Sequence, residues 1–281
     1  MNNNVIYTIF AGRKRYLEIL NVYLEKLIQN NSIHEVHFWC FTTNESDIEY
    51  MKSLEIQNLK YKIFYPDRPN KKIWYQYYKY YRKNTNENDI VIKSDDDIVY
   101  IDIDQFDNFI NNMNKDCMNF PNIINNDVCA YYQTQNNIHD IFHFSPETME
   151  KINKKINKVG SGSPLSNWYR KFDKADEIHK LFLEDPNKFN MNGETKYGNR
   201  ISINFFAIHK KSIWKYFKEI GKHNYDDERN FGLAMARLKR HRIDFSFKVV
   251  HFQFSSQNGK ELDSRYLNKY KSLANDNKIN L

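Results

Sequence analysis

The chain has 281 residues, of which 41% are hydrophobic and 27% charged, enough apolar matter for one large α/β domain or two small ones, which excludes a disordered chain. Its net charge of +7 attracts polyanions, but it does not choose between nucleic acid, nucleoside diphosphates and an anionic membrane surface. Cys40, Cys117 and Cys129 form no C-x-x-C pair, which excludes a disulfide scaffold and points to a reducing compartment.

In chain order, Val5 to Phe10 is short, β-branched and aromatic and predicts a buried strand. Ala11-Gly12 breaks it. From Lys14 to about Gln29, Tyr16, Leu17, Leu20, Tyr23, Leu24, Leu27 and Ile28 recur at helical spacing. Val36 to Thr42 is a second strand, followed by a helix from Ser46, as N-cap, to about Leu54. Lys60 to Phe64 is a third strand, Ile73 to Arg82 an aromatic helix, and Ile90 to Ser94 a fourth strand. This alternation implies an α/β fold, a mostly parallel central sheet flanked by helices, in which ligands sit at the carboxyl ends of the strands.

Further along, Asp104 to Met113 predicts a helix and Val128 to Gln133 a short strand. Residues 145–199, with Gly160-Ser161-Gly162, predict loops and short helices of an acceptor-side insertion, where Trp168 and Tyr169 are candidates to stack on a sugar. Arg200 to His209 is a strand, Ser212 to Ile220 and Tyr225 to Leu238 are helices, and Ile243 to Phe254 is a final strand carrying His251. From about Leu262 the chain predicts a polar helical tail. We expect one domain over 1–281, with a nucleotide-binding half (1–100), an acceptor-binding half (101–260) and a tail (261–281). The Asn runs, Asn125-Asn126 among them, are assigned to base composition. No run of about 18 apolar residues exists and no basic-then-apolar leader opens the chain, so neither a membrane span nor a signal peptide is expected, and a cytoplasmic location is.

The chemistry starts at Asp95-Asp96-Asp97, just past the fourth strand. In extended backbone, residues i and i+2 share a face, so Asp95 and Asp97 repel unless a cation lies between them. Oxygen ligands of this kind suit Mg²⁺ or Mn²⁺. The competing reading is a solvated turn, since Asp clusters are common in turns. Apolar Val91, Ile92, Ile98 and Val99 on either side hold the acids at the rim of a core instead.

A strand Ile90-Val91-Ile92-Lys93 leading to these acids and then Ile98-Val99-Tyr100 resembles the D-x-D region of A-type-fold glycosyltransferases, in particular small ones of large DNA viruses and of bacterial surface-glycan clusters. The resemblance runs from about Val5 to Lys260 without residues 145–199. It implies a nucleoside-diphosphate sugar as donor, by default a UDP-sugar, Mn²⁺ or Mg²⁺ as cofactor, and a glycan or glycoprotein acceptor. A viral enzyme of this kind would work in host cytoplasm or a virion. Asp95 would face the nucleotide and reach the metal, Asp96 the donor sugar, and Asp97 the metal, with His251 as a further ligand that tilts the choice to Mn²⁺. Thr8 and Phe10 on the first strand, Arg13 and Arg15 beyond it, and Lys79 would contact the donor, and Gly259-Lys260 its diphosphate. Asp226-Asp227-Glu228 opens a helix, where acids are stabilising in any case. The resemblance makes Asp227 the general base of an inverting transfer, with Glu228 as second choice.

Two other readings share the acids. A metal-dependent nuclease or phosphotransferase needs a basic face and a second acidic cluster; the one dense basic run, Arg237 to Arg242, suits a membrane surface or an acidic glycan equally well. No nucleic acid is therefore expected, and peripheral membrane contact stays open, as does the oligomeric state. A non-catalytic binding relative would not need Asp97, His251 and Asp227 together.

Overall fold

The computed structural model describes residues 4–67, 73–156, 165–212 and 227–279. Among them lies one nine-stranded sheet, ordered β3-β2-β1-β4-β8-β6-β9-β5, with β7 beside β9. The strands are β1 (Val5–Ala11), β2 (Glu35–Cys40), β3 (Tyr61–Phe64), β4 (Ile90–Asp95), β5 (Ile98–Ile101), β6 (Met118–Ile124), β7 (Glu194–Tyr197), β8 (Phe205–His209) and β9 (His241–His251). Pairing is parallel through β3-β2-β1-β4 and again between β6 and β9. It is antiparallel where β8 meets β4 and β6, and where β5 and β7 meet β9.

The first half follows the sequence pattern. β1 is buried on both faces, as its continuous apolar run demands. Helix α1 (Lys14–Gln29) buries Tyr16, Leu17, Leu20, Tyr23, Leu24 and Leu27. Helix α2 (Glu45–Gln57) begins one residue before Ser46, because Asn44 is the cap: its Oδ1 accepts from the Ser46 and Asp47 amides. Helix α3 (Ile73–Asn84) buries Tyr77, Tyr78 and Tyr81, so this aromatic set packs the core. Helix α4 (Ile103–Asn111) lies where helical spacing put it.

The second half departs from expectation in three places. Val128 to Gln133 is not a strand but part of helix α5 (Asp127–Gln135). The Asn126 side chain accepts from the Val128 and Cys129 amides, and this cap outweighs the strand propensity of Val128, Tyr131 and Tyr132. The strand in this region is β6, wholly buried between β8 and β9. Its Pro121 sits at a register shift against β9, which is how a central strand accommodates a residue with no N–H. Within 145–199, short helices stand as expected at Pro146–Ile156 and Phe172–Glu184, but Glu194–Tyr197 forms strand β7, which was not expected. Tyr169 is fully buried and offers no stacking face; the Trp168 side chain lies outside the described residues, as do most of the helix expected from Ser212 and the start of that expected from Tyr225, Asp226 included.

The C-terminal segment is helical and docked. Leu262, Tyr266, Tyr270 and Ala274, four residues apart, are all buried, and the Tyr270 hydroxyl lies 2.8 Å from His179 Nδ1. Arg242, in the basic run, is 4% exposed and pairs with Asp244 and Glu194, and His241 is fully buried, so that run forms no continuous basic face. The three cysteines are buried free thiols. No described helix is long and apolar enough to cross a membrane.

Buried histidines make the fold acid-sensitive. Burial pushes His139, His179 and His241 each down from 6.5 to about 4. As pH falls, the unfolded chain takes up these protons first. Their contribution is therefore complete above about 6.5 and is lost between there and about 4, a few kcal/mol each. Asp96 and Asp97, raised by burial, work in the opposite sense but are fewer. We expect Tm to be at least about 5 °C lower at pH 4.5 than at pH 7 by scanning fluorimetry; an unchanged Tm would contradict this.

Candidate functional site

Asp95 is the last residue of β4, Asp96 and Asp97 form the turn, and β5 begins at Ile98. Sheet pairing then delivers the other groups. The Asp95 amide donates to the Asn204 carbonyl, just before β8, and Ile98 stands opposite His251 in the β5–β9 register. The Phe252 amide donates to the Asp97 carbonyl at 2.8 Å, which locks the turn against the end of β9. One ligand atom from each of Asp95, Asp97 and His251 falls within 4.8 Å of the others.

Asp97 Oδ1 lies 3.6 Å from His251 Nε2, and both side chains are almost fully buried. Asp97 Oδ2 faces Arg13 at 3.1 Å. Asp96 turns the other way: it accepts from the Gly12 amide at 2.9 Å and from Arg13 Nε at 2.9 Å. Asp95, still 28% exposed, accepts from Lys93 Nζ at 2.6 Å and from Asn204 Nδ2 at 2.9 Å. Lys93 is 3% exposed, also donates to the Ile203 carbonyl, and sits 4.6 Å above the Phe10 ring.

The electrostatics follow from this crowding. Burial pushes Asp96 and Asp97 up to about 6, against the pull of Arg13. Burial opposes ionisation of Asp95 too, but Lys93, His251 and Asn204 hold it below its ordinary value. Burial brings His251 down to about 4, so its imidazole is neutral at pH 7. Its Nδ1 lies 3.4 Å from the Asn125 carbonyl, which favours a proton on Nδ1 and a lone pair on Nε2, facing the carboxylates.

Three carboxylates stand against two cations here, Arg13 and Lys93. The carboxylates exceed the cations by one charge, which a divalent cation between Asp95 and Asp97 would more than offset. Two carboxylates with one neutral imidazole form a donor set that suits Mn²⁺ or Mg²⁺. The residues present therefore fit the metal that the resemblance implies.

The other predicted residues divide. Thr8 is fully buried, and its hydroxyl donates to the Ile92 carbonyl at 2.6 Å beside the Tyr77 hydroxyl, so its side chain braces β1 and does not reach a ligand. Phe10 stands opposite Asp95 in the β1–β4 register and packs on Phe41 and Tyr77. Arg15 pairs with Asp263 at 3.0 Å and ties α1 to the C-terminal segment. Lys79 is exposed and lines a cavity of about 540 Å³ with Trp39, Phe64, Tyr65 and Tyr80, off the carboxyl ends of β2 and β3. Lys260 is exposed on the short helix Gly259–Leu262.

Asp227 accepts from the buried Tyr78 hydroxyl at 3.2 Å and from the Glu228 amide at 3.1 Å. Tyr78 feels the charge of Asp227 and, more weakly, that of Asp95. Glu228 instead accepts from the Ser202 hydroxyl at 3.3 Å and pairs with Arg200 at 3.3 Å. Both acids begin a π-helical turn, Glu228–Gly232, that runs into helix Leu233–Arg237.

Sequence reasoning missed Lys93, Asn125 and Asn204. The apolar run around Lys93 was a usable signal, because a lysine inside a buried strand needs a counter-charge. Lys93→Met would leave Asp95 without its nearest cation. Because Asp95 is partly exposed, we expect a cost of about 2 kcal/mol and a Tm lower by roughly 5 °C; an unchanged Tm would show that the pair contributes nothing.

No protein-family model matches this chain, and no curated protein matches it. Among solved structures it is similar to GalNAc-T7 with UDP, GalNAc and Mn²⁺, at 10% identity and a TM-score of 0.48, over 96% of this chain and 50% of that one. It is also similar to a 4-diphosphocytidyl-2C-methyl-D-erythritol synthase from Anaerococcus prevotii, at 13% identity and a TM-score of 0.31, over 42% of this chain and 54% of that one. The chain thus spans about half the length of each.

Proposed function

We propose that this chain is a metal-dependent glycosyltransferase that moves a sugar from a nucleoside-diphosphate sugar, by default a UDP-sugar, to a hydroxyl of a glycan or other acceptor. The observation that carries the proposal is the convergence of Asp95, Asp97 and His251 at the carboxyl edge of the parallel strands, next to Arg13. In this reading residues 1–100 serve the donor and residues 101–260 the acceptor.

Asp95, Asp97 and His251 would hold the cation, which supplies charge stabilisation to the leaving diphosphate. Arg13 stands at the N-terminus of α1, where its positive charge and the helix dipole both favour phosphate. The aromatic cavity beside Lys79 lies along the same edge and suits a nucleobase. Asp227 takes the proton of the acceptor hydroxyl as its oxygen attacks the anomeric carbon, with inversion. Tyr78 fixes the Asp227 carboxylate by donating to it.

Among the described residues, Asp95, Asp97 and His251 form the only group of His, Cys, Asp and Glu side chains placed to share an ion. The nuclease reading needs a second such cluster and an open basic face, and no observation favours it. The test is incubation with Mn²⁺ and a panel of nucleotide sugars, following release of nucleoside diphosphate. Slow release with one donor is expected. Binding to DNA with no binding of any nucleotide sugar would sink the proposal.

A further inference from the structure

We infer that Asn204 is a fourth ligand of the divalent cation, through its side-chain amide oxygen; this rests on reading Asp95, Asp97 and His251 as the metal site. Asn204 is 7% exposed and directly precedes β8. Its backbone carbonyl is fixed by the Asp95 amide, so its side chain is aimed by the sheet itself. Nδ2 lies 2.9 Å from Asp95 Oδ2 and 3.2 Å from His251 Nε2. Neighbouring ligands of an octahedral cation with bonds of about 2.1 Å stand about 3 Å apart. The amide end of Asn204 therefore occupies the position of the next ligand around the ion.

The other end of the amide gives the second argument. Asn204 Oδ1 is buried and has no hydrogen-bond partner, a state that costs free energy and calls for a reason. A half-turn about the Cβ–Cγ bond exchanges oxygen and nitrogen without moving anything else. That rotation forfeits nothing at Oδ1. It gives up the two Nδ2 contacts, whose lone pairs on Asp95 and His251 the cation would take in any case. A neutral amide oxygen is also a ligand type common to Ca²⁺, Mg²⁺ and Mn²⁺ sites, and it adds no charge where carboxylates already outnumber cations. In the metal-free protein Asn204 clamps Asp95 and His251; with the ion bound, it turns its oxygen inward.

The test uses the full chain and Mn²⁺ alone, with no activity readout. Free Mn²⁺ is followed by electron paramagnetic resonance against the native protein, Asp97→Ala, Asn204→Leu and Asn204→Asp, and the Mn²⁺-loaded native protein is crystallised. We expect Asn204→Leu to weaken binding about tenfold or more, and Asn204→Asp, which keeps an oxygen but no donor, to bind at least as tightly as native. In the crystal, Oδ1 should lie about 2.2 Å from the ion. The inference is overturned if Asn204→Asp binds more weakly than native, if Asn204→Leu binds within twofold of it, or if Nδ2 still faces Asp95 beside the bound ion. Native protein that takes up no Mn²⁺, or Asp97→Ala that takes it up unchanged, would overturn the metal site itself.

Discussion

Asp97→Ala is expected to lower Mn²⁺ affinity by about 100-fold or more and to abolish metal-dependent donor turnover. Changing groups that merely support a ligand costs 10–100-fold, so losing a ligand costs more. Asp97 is the best choice because both of its oxygens are committed, one toward His251 and the other toward Arg13. Folding should survive. Burial pushes Asp97 up to about 6, so at neutral pH its ionised form is a cost to the folded state. Arg13 keeps Asp96 as a partner. The metal-free Tm of the variant should therefore match or exceed that of the native protein. Mn²⁺ should raise the native Tm by mass action and leave the variant unmoved. Equal Mn²⁺-induced shifts in the two proteins would remove Asp97 from the ligand set.

Asp227→Asn tests the acceptor side. The amide oxygen can still accept from Tyr78, so the local structure is kept while the base is lost. Transfer to an acceptor should fall by about 10²–10⁴-fold, the range of general-base contributions. Donor binding, which the proposal assigns to Arg13, Asp95, Asp97 and His251 and not to Asp227, should stay within about twofold of native. Glu228→Gln loses a partly exposed pair with Arg200 and should cost about 1 kcal/mol of stability with little effect on transfer. Full transfer by Asp227→Asn would take the role from Asp227. If Glu228→Gln is equally active, no base acts in this cluster, which opens a retaining mechanism.

Much of the fold over residues 4–100 was legible because its signals are local. Continuous apolar runs gave β1 to β4, helical spacing gave α1 and α3, and the strand ends located both Gly12-Arg13 and the Asp triplet. His251 was named from the resemblance, by its place near the end of the last expected strand, and the sheet brings it beside Asp95 and Asp97. Asn204 was not, because its role exists only once β8 pairs with β4 and brings it to Asp95 across 109 residues of chain. Asparagines discounted as compositional noise proved specific: Asn126 caps α5, and Asn125, at φ 63, donates to the Phe252 carbonyl and so anchors the strand that carries His251. Pro121 hid β6, and strand-forming side chains disguised α5. Thr8 and Tyr169 were named from their place in the chain, which does not reveal which way a side chain faces.

The central claim is that Asp95, Asp97 and His251 join a divalent cation to a nucleotide-sugar donor. It is tested most directly by calorimetric titration of a UDP-sugar into the native protein and Asp97→Ala, each with Mn²⁺ and with chelator. The account predicts native affinity at least about tenfold higher with Mn²⁺, and no difference between the two conditions for Asp97→Ala. Equal affinity with metal and with chelator in the native protein would contradict it.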